Sequence, residues 1–204
     1  LLEDPRRRSD ITADAKVDLR AESLTDVQSL RGTVVLDSPR IAAAGYEVER
    51  LHGTARIDGR HVDVDARGAA YGATATAKGR VVLPDGRQAV TYDVRGRAKH
   101  VDLRKMPRSV GAPRTATDVN AEYHIVGRRA PSTLDLRFDP STIAGARIAQ
   151  GSTASVVLAA TPIEYKADVN AADLDLQRVG DEFDVPALAN DRYKTPLNGP
   201  TPAP

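Results

Sequence analysis

The chain has no cysteine and no tryptophan, one methionine and only 4% aromatic residues. Without cysteine there is no disulfide framework, no thiolate nucleophile and no thiolate metal site. The compartment stays open, because cysteine-free chains suit an oxidising space as well as the cytosol. No run approaches the roughly 18 apolar residues that a membrane-spanning helix needs. A surplus of either charge is missing too: 29 Lys and Arg stand against 28 Asp and Glu, a net charge of +1. That balance gives no push toward nucleic acid or an acidic substrate, and the run Arg6, Arg7, Arg8 reads as an exposed, solvated stretch. Helical periodicity is scarce as well, with Ser23 to Leu30 and Pro186 to Asn190 the only candidates for short helices.

What the chain does have is a block that occurs twice. Tyr92 to Leu103 (YDVRGRAKHVDL) and Tyr165 to Leu176 (YKADVNAADLDL) align without a gap, with Tyr, Asp and Leu at equivalent places. A shorter echo runs Ala15 to Arg20. Upstream, Leu36 to Ile41 and Phe138 to Ile143 rhyme as a strand, a proline turn and an Ala/Gly step. The repeats point to an array, read as a first repeat over 1–107, a second over 108–180, and an inter-repeat or C-terminal tail over 181–204. Both ends are expected to be cuts within a longer protein.

Period-two alternation dominates the local pattern. In His61 to Gly68 the polar residues take every odd position, which sends them to one sheet face and the small or apolar residues to the other. The same alternation runs through Ala73 to Leu83 and Val90 to Lys99. Further strands are expected at Ala13 to Arg20, Leu51 to Ile57, Val119 to Ile125, Leu134 to Phe138, Ala154 to Leu158 and Ile163 to Ala171. Asp58-Gly59 and Pro84-Asp85-Gly86 supply hairpin turns, since Asp-Gly is favoured where a tight turn needs positive φ. The expected fold is all-β, an antiparallel meander of long amphipathic strands.

Such a sheet carries one continuous apolar face, and no helical segment is long enough to cover it. Burying that face is worth about 25 cal/mol per Å². The sheet can pack on itself as a thin sandwich, close as a barrel, or curve into an open trough whose lining is completed by an apolar ligand. Its small Ala and Gly side chains fill little volume, which favours the open groove.

Catalytic constellations are weak. His52, His61, His100 and His124 fall on separate strands. A His61, Asp63, Asp65 line on one face has about 7 Å between side chains, too wide for shared ligation and ordinary for a solvated strand. There is no Gly-x-Ser-x-Gly elbow and no phosphate-binding glycine loop. The repeated Asp102 and Asp175 read as turn or bulge residues rather than acids. No enzyme activity, cofactor or metal is expected.

The strand and turn Gly32 to Ile41, the strand around Leu51 to Ile57, the Ala/Gly strand ending near Gly79 and the closing block Tyr92 to Leu103 resemble the AsmA-like and TamB-like envelope proteins of Gram-negative bacteria. The stretches Asp173 to Arg178, Asp191 to Tyr193 and Leu197 to Gly199 resemble the passage between consecutive repeats of such a protein. The resemblance implies a periplasmic β-groove, anchored in the inner membrane by a helix outside this chain, that shields phospholipid or other acyl-chain lipid on its way to the outer membrane. On that reading Val62, Val64, Ala66, Ala73, Ala75, Ala77, Val90, Tyr92, Val94, Ala98, Ala167, Val169 and Ala171 line the trough. The alternative is a scaffold for outer-membrane β-barrel assembly, acting by adding a strand to a partner's sheet edge.

Overall fold

A computed structural model describes residues 9–23, 26–43, 46–85, 88–108, 112–128, 131–158 and 164–183. Its strands are β1 (Ser9–Arg20), β2 (Arg31–Ala43), β3 (Tyr46–Asp58), β4 (His61–Ala70), β5 (Ala73–Val82), β6 (Thr91–Val101), β7 (Thr117–Arg128), β8 (Ser132–Phe138), β9 (Ser141–Ile143), β10 (Ala146–Ile148), β11 (Thr153–Leu158), β12 (Glu164–Asp168) and β13 (Ala171–Ala172), followed by one short helix, α1 (Leu176–Glu182). β1 through β8 pair in sequence order, each antiparallel to the next, and β11 and β12 extend the row. The sheet is open and curved, the fold expected from the alternation of the sequence.

The hairpins follow from local chemistry. Gly59 takes φ 58 in the β3–β4 turn, as the Asp-Gly pair predicts. Two further turns place both central residues at positive φ: Tyr71 and Gly72 at 53 and 83 between β4 and β5, and Ala144 and Gly145 at 52 and 86 between β9 and β10. Positive φ at both positions matches the right-handed twist of the flanking strands. The glycine supplies the freedom at the second position, and a strained Tyr or Ala occupies the first.

The two copies of the repeated block share a backbone as well as letters. His100 and Asp173 hold equivalent places in the alignment, and each takes φ 58. Two residues later, Asp102 accepts the Arg104 N–H at 3.1 Å and Asp175 accepts the Arg178 N–H at 3.0 Å. Each aspartate thus caps the short helical turn that begins at Leu103 or Leu176, since a carboxylate there satisfies an amide the helix leaves unpaired. The repeat encodes a way of leaving the sheet: a strand, a left-handed residue, an aspartate cap and a helical turn. The echo at Ala15 to Arg20 does not share it, because Asp18 lies within β1 opposite Thr33.

Three expectations of segment need correction. Within Ser23 to Leu30 the described residues form only the 3₁₀ turn Val27–Ser29, capped by Asp26. Leu36 to Ile41 makes no turn: β2 runs through Pro39 with a bulge, where the buried Ser38 donates its hydroxyl to the Thr12 carbonyl. Ile163 to Ala171 is not one strand either. Asn170 donates its N–H to the Ser152 hydroxyl at 3.1 Å and accepts the Ala149 N–H at 2.8 Å. Those bonds draw the chain out of the main sheet, so β13 pairs β10 instead. Pro186 to Asn190 and Arg6 to Arg8 lie outside the described residues, as does the tail from 184 onward. The 107/108 boundary falls between β6 and β7, which pair directly.

The buried core is small and sits at one corner. Ala121, Phe138, Ala146 and Ile148 form its centre, with Val119, Leu136, Ile143, Ala154, Ala171 and Leu174 packed around it. Here β9, β10 and β13 fold over the ends of β7, β8 and β11. Elsewhere among the described residues the main sheet has no second layer.

Candidate functional site

Register makes the apolar face explicit. Val17, Val34, Ala55, Val64, Gly79, Val94, Ile125, Leu134 and Val156 are partners in succession from β1 to β11. Partners across a ladder project to the same face, so this is one continuous apolar row. From Val34 to Val156 its members are half-buried, and Val17 at the edge is 57% exposed. Rows on either side continue it: Val62 with Val81 and Tyr92, and Ala66 with Ala77 and Gly96.

The residues expected to line a trough divide among three places. Val62, Val64, Ala66, Ala73, Ala75, Ala77, Tyr92, Val94 and Ala98 share the apolar face of β4, β5 and β6, and Ala167 joins it on β12 through Ala154. Val90 precedes β6, and Val169 follows β12 at 42% exposure. Ala171 packs into the corner core and is no part of an open surface. Sequence reading omitted the row's continuation through Ile125, Leu134 and Val156, although the alternation of their strands carried it.

Two tyrosines lie across this face. The Tyr92 hydroxyl meets that of Ser132, and the Tyr123 hydroxyl donates to the Thr76 carbonyl at 2.8 Å. Burial pushes the Tyr123 phenol up from its ordinary value, because loss of water disfavours the phenolate.

A concavity of about 1400 Å³ opens on the opposite, charged face. Its lining steps through the triplets Thr74 to Thr76, Arg95 to Arg97, Glu122 to His124, Asp135 to Arg137 and Thr153 to Ser155. The outer members of each triplet have the parity of the charged face, and the middle one lies between them. Of the expected trough residues only Ala75 borders it. Arg50, Arg67, Arg95, Arg97, Lys99, Arg137 and Lys166 line it against Glu122, Asp135 and Asp168. This concavity therefore opens on the charged side of the sheet and not over the expected trough residues.

Elsewhere on the charged face, cross-strand ion pairs quench the charges. Arg80 meets Asp63 at 2.7 Å and Lys78 meets Asp65 at 3.4 Å, so both aspartates of the His61, Asp63, Asp65 line have cationic partners. The Arg80 guanidinium, by hydrogen bonding above all, holds the Asp63 carboxyl below its ordinary range. His52 meets Asp37, His100 meets Asp118 and His124 meets Asp93. Among the described residues no three His, Asp or Glu side chains converge as a metal site would require. The repeated Asp102 is a cap: the Arg104 side chain and backbone hold its carboxyl down to about 2.

Comparison with family models, with curated proteins and with solved structures returned no match.

Proposed function

We propose that this chain is a non-catalytic module whose apolar sheet face shields lipid acyl chains, as part of a periplasmic protein of the AsmA-like or TamB-like kind that carries phospholipid between inner and outer membranes. The observation that carries the reading is the apolar row from Val34 to Val156, which no second layer covers among the described residues. An uncovered apolar face of that width asks for an apolar partner. An acyl chain laid on it gains about 0.8 kcal/mol per methylene removed from water. The small side chains at Ala55, Ala66, Ala77 and Gly79 keep the surface smooth, so binding does not depend on a fitted pocket. The charged hollow on the other side takes no part in this.

The test is a photoactivatable fatty acyl probe combined with analysis of co-purified lipid. Crosslinks at Val64, Val94 and Ile125, and none at Asp63, Arg95 or His124, are the expected result. A protein that carries no lipid, or crosslinks that ignore the faces, would overturn the reading.

One observation favours a second reading, strand addition at β1. This edge strand bonds only to β2 among the described residues, and Ile11, Val17 and Leu19 are 58%, 57% and 40% exposed. An open edge with exposed apolar residues is a template for a partner strand. Proline at Val17, whose N–H faces the open edge because Val17 and Val34 are a non-hydrogen-bonded pair, would abolish partner capture on this reading and leave acyl crosslinking at Val94 intact.

A further inference from the structure

The hollow on the charged face has features that a merely solvated surface does not require. Arg67, Arg97 and Arg137 lie on one register row, separated by Thr76 and Glu122. Each is two strands from the next, about 9.5 Å at ordinary strand spacing. Arg97 is engaged by Glu122. Among the described residues, no carboxylate pairs with Arg67 or Arg137, nor with Lys99 or Lys166 beside them. The chain as a whole is close to neutral, at +1, yet cations outnumber carboxylates in this hollow. Low-dielectric walls around charge of one sign focus the field and raise the local concentration of counter-ions.

A second observation concerns Arg50, which also lines the hollow. On β3, Glu49 pairs Ala69 and His52 pairs Arg67, so Arg50 and Leu51 together face Gly68. This is a bulge, and Arg50 takes φ 49 within it. A left-handed backbone is costly for a residue with a long side chain. Bulges turn side chains out of the regular alternation, and strain of this kind gathers at binding sites. Here the strain adds another guanidinium to the rim of a hollow already rich in cations.

We propose that this hollow is a binding site for an anion that carries several phosphate groups. Guanidinium forks match phosphate oxygens in bidentate geometry. The spacing of Arg67, Arg97 and Arg137 excludes a single phosphate as a bridging ligand, so affinity rises with the number of linked phosphates. The chemistry is shared by a phosphorylated lipid headgroup and by a free polyphosphate. The proposal does not rest on the acyl-chain reading, which concerns the opposite face.

The experiment titrates the intact chain with inorganic phosphate, tripolyphosphate, and vesicles of phosphatidylcholine with and without phosphatidylinositol bisphosphate, whose headgroup carries several phosphates, at low and at high salt. Tripolyphosphate is expected to bind more tightly than phosphate and to weaken with salt. Arg67→Gln and Arg137→Gln are each expected to lower its affinity about tenfold, the size of a lost charge-assisted bond. Arg20→Gln removes the same charge at the far edge and is expected to leave affinity unchanged. Binding of phosphatidylinositol bisphosphate vesicles that tripolyphosphate displaces assigns the site to a headgroup, and binding of tripolyphosphate alone assigns it to a soluble anion. Equal affinity for phosphate and tripolyphosphate, equal losses in all three variants, or no binding at low salt would overturn the proposal.

Discussion

Tyr92 and Tyr123 are crossed on the β6–β7 pair: Tyr92 lies opposite Gly127, and Tyr123 opposite Gly96. Each ring covers the glycine that faces it. The hydroxyl then reaches a third strand, Tyr92 to Ser132 on β8 and Tyr123 to Thr76 on β5. An aromatic ring over a cross-strand glycine restores apolar contact that the glycine lacks, so the two pairs bind four strands on a face with no other large cover.

The glycines are therefore space for the rings. A methyl group added at Gly96 would collide with the Thr76 carbonyl oxygen and sit 2.7 Å from Cζ and the hydroxyl of Tyr123, and one at Gly127 would collide with the Ser132 hydroxyl and lie equally close to Tyr92. Gly96→Ala and Gly127→Ala are each expected to destabilise by about 1–3 kcal/mol, the usual range for overpacking, read as a lower denaturant midpoint. Tyr123→Phe removes only the bond to Thr76 and should cost about 1 kcal/mol.

Face assignment predicts a contrast between adjacent residues. Val64→Glu and Val94→Glu place a charge in the half-buried row and are expected to cost about 1–3 kcal/mol and to weaken acyl crosslinking. Thr74→Glu, on the exposed charged face, is expected to change neither. Chemical denaturation of the three variants checks this. Ala75 is exposed, so a charge there should be tolerated better than its place in the alternation predicts.

Much of this was legible in the letters. Alternation in His61 to Gly68 and its neighbours gives the strands, their faces and the meander, because side-chain direction in a strand has period two. The sign of curvature is not written in that period. It comes from twist and from bulges such as those at Pro39 and Arg50, and no glycine marks the positive φ of Arg50. The hollow among Arg67, Arg97 and Arg137 was hidden for that reason, since its residues read as an ordinary solvated face. The corner of β9, β10 and β13 was missed because strands of two or three residues are too short to show alternation. The Tyr71-Gly72 turn lacks the Asn or Asp that usually announces one.

The shared backbone of the repeated block predicts matched responses in both copies. His100→Val and Asp173→Val put a β-branched residue at φ 58 and are expected to cost about 1–2 kcal/mol each. His100→Gly and Asp173→Gly are expected to be tolerated. Thermal or denaturant unfolding of the four variants decides whether the two blocks are structurally equivalent.

Acid sensitivity follows from Asp102. Its carboxyl is held at about 2 in the fold against 3.8 for the free group. A folded value below the unfolded one adds stability at higher pH, and that stability is lost as pH falls from 3.8 through about 2, because the unfolded chain takes up the proton first. The wild type should lose more stability over that window than Asp102→Asn, whose cap does not titrate. Equal slopes for the two in acid unfolding would contradict the assignment.

The meander also sets how the molecule comes together and apart. From β1 to β6 each strand bonds only to its neighbours in sequence, so every pairing there closes a short loop and no early step waits on a distant part of the chain. The corner is the exception, where β7 receives β9 and β10 receives β13. Loss of the first strands shortens a ribbon, whereas loss of β13 releases a clasp. Unfolding should then proceed as a zipper fraying from β1 toward a late-opening corner, with a broad transition in place of one sharp step.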